Sequence, residues 1–173
     1  MSSGEPVETL NVVILYQHLA YMGRAMATYL RLERELAEEF TPDFRLWRID
    51  IATEPAFADE AERDIAAAEV IIVAVNGGQS CPPAFQRWRG GLGQAGGPPP
   101  RAIIALVDSS DEMVAAPESW ASVLREAATQ IHSEVFVCGP TQPCPRVEAS
   151  RFSSAEPVGP IGVITTTPSS NLP

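Results

Sequence analysis

The chain has 173 residues, 45% of them hydrophobic and 20% charged, a composition typical of one globular domain with a buried core. Its formal net charge of -10 excludes broad attraction to nucleic acid or to an anionic membrane surface. All 12 cationic residues are arginines. The absence of lysine excludes Schiff-base catalysis and a P-loop lysine.

The first third of the chain predicts a strand, a helix and a second strand. After a leader of residues 1–9, Leu10 to Tyr16 is a continuous apolar run typical of a strand buried on both faces. Apolar residues then recur every three or four positions from Leu19 to Phe40, which indicates a long amphipathic helix. Residues 41–43 break that pattern, and the mixed stretch from Phe44 to Ile51 predicts an edge strand.

The middle of the chain predicts a second helix, a buried strand and a short third helix. Thr53 can cap the second helix, which extends to Ala68 with Phe57, Ala61 and Ile65 on its inner face. A fully apolar third strand, Val70 to Val75, follows directly. A polar loop then leads into a short helix around Phe85 and Trp88, and residues 96–100 predict a linker.

The last elements are a strand, a helix and a strand. Arg101 to Val107 predicts the fourth strand, Pro117 to His132 a helix with one apolar face, and Val135 to Cys138 the fifth strand. Residues 140–173 are rich in Pro, Ser and Thr, a composition that predicts a disordered tail. The folded domain is therefore expected at residues 10–139.

This alternation predicts an α/β fold, because right-handed crossovers place successive strands in one parallel sheet. We expect a doubly wound, five-stranded parallel sheet with the flavodoxin-like order 2-1-3-4-5 and helices on both faces. The pattern contains no helix after the fifth strand. The tail or a partner chain is expected to cover part of that face.

Sheets of this kind bind ligands beyond the carboxyl ends of the strands, where the strand order reverses. That position lies between strands one and three. A glycine pair after the third strand lets a ligand approach the backbone closely. The predicted ligand-binding residues, from the ends of strands one, three and four, are Tyr16, His18, Asn76, Gly77, Gly78 and Asp108.

Two kinds of chemistry remain open at that edge. A hydrolase would combine His18 with Ser80 or Cys81 as nucleophile and Asp50 or Asp108 as the orienting carboxylate, although there is no Gly-x-Ser-x-Gly elbow. A divalent metal could be shared by carboxylates of the same loops, Asp50, Asp108 and Asp111. Polar residues after strands more often form turns and helix caps, so no catalytic residue is assigned and the metal content stays unknown.

The three cysteines, Cys81, Cys138 and Cys144, include no Cys-x-x-Cys pair. Neither a disulfide framework nor a zinc knuckle is indicated, and reduced thiols are expected. Cys138 lies in a strand pattern and should be buried as a small hydrophobic residue. Cys81 lies at a loop-to-helix junction, where a thiol pKa can be lowered.

Strand one ends in Tyr16-Gln17-His18 and strand three in Asn76-Gly77. The arrangement from residue 10 to 139 resembles response-regulator receiver domains. Receivers carry paired acidic residues after strand one, a phosphorylated aspartate at the end of strand three, a hydroxyl residue after strand four and a lysine near strand five. Only Ser109 or Ser110 matches here, so the resemblance implies a signalling module without the phosphoryl-transfer chemistry.

Cofactor motifs are absent at the positions where such folds use them. The loop after strand one lacks the hydroxyl and glycine residues with which flavodoxins hold the flavin phosphate. The spacing Gly-x-Gly-x-x-Gly at residues 91–96 falls in a linker and not after strand one. No cofactor is expected.

Two functions are consistent with these patterns. The first is a non-catalytic regulatory or protein-interaction module that binds a protein partner or forms a homodimer, with Trp47 and Trp88 as aromatic anchors beside arginines. The second is a small-molecule or nucleotide-binding domain with its site at the carboxyl edge of strands one, three and four, and a hydrolase would be one form of it. Residues 1–6 lack the features of a signal peptide, so a cytoplasmic location is expected.

Overall fold

The structure is a computed structural model that describes residues 8–86, 98–108, 118–141, 144 and 146. Its named elements in chain order are β1 Glu8–Tyr16, α1 Leu19–Leu36, β2 Phe40–Arg48, α2 Ile49–Ala52, α3 Ala58–Ala66, β3 Val70–Asn76, β4 Ala102–Asp108, α4 Trp120–Gln130 and β5 Glu134–Cys138. Residues 83–86 are also helical. Trp88 and nearly all of the predicted tail lie outside the described residues.

The five strands form one parallel sheet in the order β2-β1-β3-β4-β5. This confirms the predicted doubly wound, flavodoxin-like order. The central strands β3 and β4 are buried along almost their whole length, because helices cover both faces of the sheet. Continuous runs of branched apolar residues suit that environment.

Two hydrophobic cores lie on opposite faces of the sheet. The α1-side core lies under α1 and includes Ile14 of β1, Ile72 of β3, Leu106 of β4 and Cys138 of β5. The α4-side core lies under α3 and α4, and it includes alternate residues of the same strands together with Cys81, Phe85 and Trp120. Alternation of side chains along each strand separates the two cores.

The predicted second strand begins four residues too late. Helix α1 ends at Leu36, and Phe40 begins β2 and is buried in the α1-side core. Pro42 therefore lies within the strand, paired with Leu10 of β1. Proline is tolerated there because β2 is an edge strand of the described sheet, as the sequence predicted. Residues 49–51, assigned to the strand from sequence, instead belong to the short helix α2 Ile49–Ala52.

The predicted start of the second helix is also wrong. Thr53 does not cap it but ends α2, where its Oγ1 donates a hydrogen bond to the carbonyl oxygen of Ile49 at 3.0 Å. Helix α3 begins five residues later, at Ala58. Phe57, predicted to face inward, is 41% exposed, whereas Ala61 and Ile65 are buried as predicted.

Candidate functional site

The register of the sheet places the strand ends in one line. Arg48, Tyr16, Ala74, Leu106 and Cys138 are successive partners across β2, β1, β3, β4 and β5. We call the loops beyond this line the carboxyl edge. The predicted ligand-binding residues from three different strands all lie on it or just beyond it.

Gln17 bridges β1 and β3 at the point where the strand order reverses. Its backbone N–H donates to the carbonyl oxygen of Ala74 at 3.0 Å. Its side-chain Oε1 accepts from the backbone N–H of Asn76 at 2.8 Å, and its Nε2 donates to Oε1 of Gln79 at 2.6 Å. The polar groups at the reversal point are thus satisfied by the chain itself.

The glycine pair after β3 takes part in a hydrogen-bonded turn. Oδ1 of Asn76 accepts from the backbone N–H of Gly78 at 2.8 Å. The N–H of the buried Gly77 donates to the carbonyl oxygen of Asp108 at 3.3 Å, which ties the turn to the end of β4. Two backbone donors that a ligand anion could have used are therefore occupied.

The residues from the end of β1 differ in their exposure. Tyr16 is half-buried and packs against the α1-side core. His18 is exposed and precedes α1 in an extended conformation, with φ -141°, and its side chain makes no capping hydrogen bond. Its ring lies 6.3 Å from that of Tyr21, centroid to centroid. Among the predicted site residues that carry a side chain, His18 and Asp108 are the exposed ones.

Arg24 of α1 reaches the carboxyl edge from the side. Its guanidinium Nη2 donates to the carbonyl oxygen of Cys138 at 3.0 Å and also to that of Gly139. Burial lowers the pKa of Arg24, and the negative charge of Asp108 acts in the opposite direction. Arg24 was not among the ligand-binding residues predicted from sequence. The available signal was that it is the only charged residue between Leu19 and Leu30.

Cys138 and Cys144 form a disulfide bond, with their Cα atoms 5.4 Å apart. The expectation of reduced thiols is wrong for this pair, because spacing alone does not show where the chain turns after β5. Cys138 is buried as predicted, and Cys144 packs against the α1-side core. Cys81 is not part of this disulfide and lies in the α4-side core, only 3% exposed.

Neither the hydrolase nor the divalent metal site that the sequence left open is supported by the described residues. Asp50 accepts a hydrogen bond from Nε of Arg48 at 2.6 Å, and this bond lowers the pKa of Asp50. Ser80 forms a backbone bridge with Ser119. Within the described ranges no group of three or more His, Cys, Asp or Glu residues is arranged to hold a metal ion. Ser109, Ser110 and Asp111 lie outside the described residues.

The outer face of α1 is apolar, which the sequence did not predict. Leu19 is 68% exposed and Leu30 is 49% exposed, although both fit the predicted inward pattern. Gly23 and Ala27, between them on the same helical face, are exposed as well. We call Leu19, Gly23, Ala27 and Leu30 the α1 outer stripe.

The predicted aromatic anchor Trp47 is half-buried against the α4-side core. Its Nε1 donates to Oδ2 of Asp64 on α3 at 2.8 Å. Its neighbour Leu46 is 39% exposed. The second predicted anchor, Trp88, falls outside the described residues with its neighbouring arginines, so an interface at these aromatic residues stays a prediction.

No family model matches the chain, and no curated protein sequence matches it. A solved structure of a mutant flavo di-iron protein from Thermotoga maritima is similar over 86% of the chain, at 13% sequence identity and a TM-score of 0.45. The chain spans 34% of the length of that structure. None of the described helices is long and apolar enough to cross a membrane. The observed strand order by itself makes the described chain an α/β protein with a flavodoxin-like sheet order.

Proposed function

We propose that this chain is a non-catalytic, cytoplasmic protein-interaction module whose partner is a second copy of itself. It would correspond to a receiver-like signalling domain that has lost the phosphoryl-transfer chemistry. The observation that carries the proposal is the α1 outer stripe. The interface is proposed at α1, which packs on β1, β2 and β3.

A surface helix of a monomeric domain normally presents polar side chains to water. The α1 outer stripe instead presents two exposed leucines, a glycine and an alanine, and its first charged neighbour on the same face is Arg34. Exposed apolar patches of this kind are typical of interaction surfaces. The stripe is therefore better suited to contact with another protein than to solvent.

Gly23 is further support for an interface at the α1 outer stripe. Glycine within a helix costs about 1 kcal/mol relative to alanine. Packing among the described residues does not require it, because beyond its own helix a Cβ at Gly23 would meet none of their atoms within 4 Å. A glycine at an exposed helical position does allow the backbone of a second helix to approach closely.

The stripe is nearly palindromic, with a small pair, Gly23 and Ala27, between two leucines. An antiparallel two-fold arrangement would place Gly23 of one copy opposite Ala27 of the other, and Leu19 near Leu30. Such an isologous interface uses the same surface on both subunits. Each copy has a formal net charge of -10, so an uncharged face is where two copies can meet with the least repulsion.

Cysteine cross-linking tests this register. A Gly23→Cys chain mixed with an Ala27→Cys chain should form the mixed disulfide at least tenfold faster than either forms its own, because only the mixed pair is directly opposed. Cys81 is buried and Cys138 is bonded to Cys144, so under oxidising conditions and without a dithiol the native cysteines should not compete. An Ala37→Cys chain, exposed beyond the end of α1, is the matched control. Equal or absent cross-linking of all pairs would count against the interface.

A second candidate function, ligand binding at the carboxyl edge, is favoured by the exposed side chains of His18 and Asp108. The Gln17 bridge argues against it, because it satisfies polar groups at the reversal point. A thermal-shift screen with nucleotides, flavins, divalent metals and acyl phosphates separates the two, since a ligand of the native state must raise Tm. We expect no shift. A shift that is lost in both His18→Ala and Asn76→Ala would favour the ligand-binding function.

A further inference from the structure

We propose that Cys138 and Cys144 are a reversible redox site, which a dithiol reductant opens and which fastens the end of β5 to the chain that follows it. Cys138 is the last residue of β5. The disulfide holds Cys144 against the α1-side core. Strand β5 is the last of the described elements. The bond therefore lies directly after the last described strand, against the α1-side core.

The two sulfur atoms differ in their access to a reductant. Cys138 is 1% exposed, whereas Cys144 is half-buried. A thiolate of the dithiol therefore attacks Sγ of Cys144, the sulfur–sulfur bond breaks, and Cys138 departs as a thiolate that takes up a proton. The second thiol of the reductant then attacks the mixed disulfide and releases Cys144. The protein gains two thiols and the dithiol becomes a disulfide, so two electrons are transferred.

Arg24 makes this departure easier. Its guanidinium donates to the carbonyl oxygens of Cys138 and Gly139, so a positive charge lies beside the residue that becomes the leaving thiolate. Cys81 cannot take part in the folded protein, because it is 3% exposed and lies in the core on the other face of the sheet. The exchange is confined to the Cys138–Cys144 pair and an external dithiol.

This site fits the cytoplasmic location proposed above. Disulfides that form in the cytosol are usually transient or redox-sensing, because cellular dithiols reduce them. When the bond opens, the side chain of Cys144 is no longer cross-linked to the end of β5, an edge strand paired only with β4 among the described strands. We therefore expect the end of β5 to become more dynamic in the reduced protein.

Alkylation and amide exchange of the full chain test the proposal. Denatured without reductant, the protein should take up alkyl groups at Cys81 only. Treated with excess dithiothreitol while folded, it should be alkylated at Cys144, and amide exchange of residues 134–138 should rise at least tenfold. A Cys81→Ser chain should behave identically, and a Cys144→Ser chain should show the raised exchange without reductant.

Two results would overturn the redox site. One is alkylation of three cysteines in the denatured, unreduced protein, which would show that the bond does not form. The other is an exchange rate at residues 134–138 that is the same in the oxidised and reduced wild-type protein. The second comparison needs no variant, so it stands even where Cys144→Ser does not fold.

Discussion

Replacing Trp120 by alanine is expected to lower the free energy of unfolding by about 3–5 kcal/mol. Trp120 is fully buried in the α4-side core, and its ring packs edge-to-face on Phe85 with centroids 4.8 Å apart. Alanine would remove that aromatic contact and leave a large cavity under α4. For a protein of typical stability this loss is a large part of the whole free energy of unfolding.

Trp120→Phe is the informative companion variant. Among the described residues the buried Nε1 of Trp120 has no hydrogen-bond partner, and a buried polar group without a partner is costly. Phenylalanine removes this group while keeping an aromatic ring, so we expect a loss of only about 1–2 kcal/mol.

Chemical denaturation of both variants checks these values, with Arg125→Ala as the control. Arg125 is exposed on the same helix, and its replacement should change stability by less than about 0.5 kcal/mol. A loss below about 1 kcal/mol in Trp120→Ala would contradict the described core.

The central sheet could be predicted from sequence because its strands are buried on both faces. The apolar runs of β3 and β4 are unambiguous, and their alternation with helices predicts a parallel sheet with right-handed crossovers. The strand order was expected because it is common among doubly wound folds. The edge strand β2 was displaced because Pro42 is normally a strand breaker. Proline is tolerated in an edge strand, and although the sequence predicted an edge strand here, the predicted strand was not extended back through Pro42.

The candidate site was predicted less completely than the fold. The topology rule located the carboxyl edge correctly but could not show that Gln17 bonds to Asn76, since that contact joins residues 59 positions apart. The outward position of Leu19 and Leu30 was missed for a related reason. Apolar spacing identifies a helical face, but not whether the sheet or solvent lies beside it.

The second large effect is expected for Leu30→Arg, which should raise the Kd of self-association roughly a hundredfold, equivalent to about 2.7 kcal/mol. The two-fold arrangement brings the substitution into the interface twice. Each copy would lose an apolar contact and gain a charge that is partly removed from water. The fold of each chain should be unaffected, because Leu30 is 49% exposed.

Leu46→Arg is the matched control. Leu46 is also an exposed leucine, but it lies on β2 and outside the α1 outer stripe. This variant changes charge and hydrophobicity in the same way as Leu30→Arg. A difference between the two variants therefore comes from the position of the substitution.

Self-association through α1 is tested most directly by sedimentation velocity of the wild-type, Leu30→Arg and Leu46→Arg chains over a wide concentration range. We expect a concentration-dependent dimer for the wild type and for Leu46→Arg, and a monomer for Leu30→Arg at the same concentrations. A wild-type chain that stays monomeric throughout, or a dimer that Leu30→Arg leaves intact, would contradict self-association through α1.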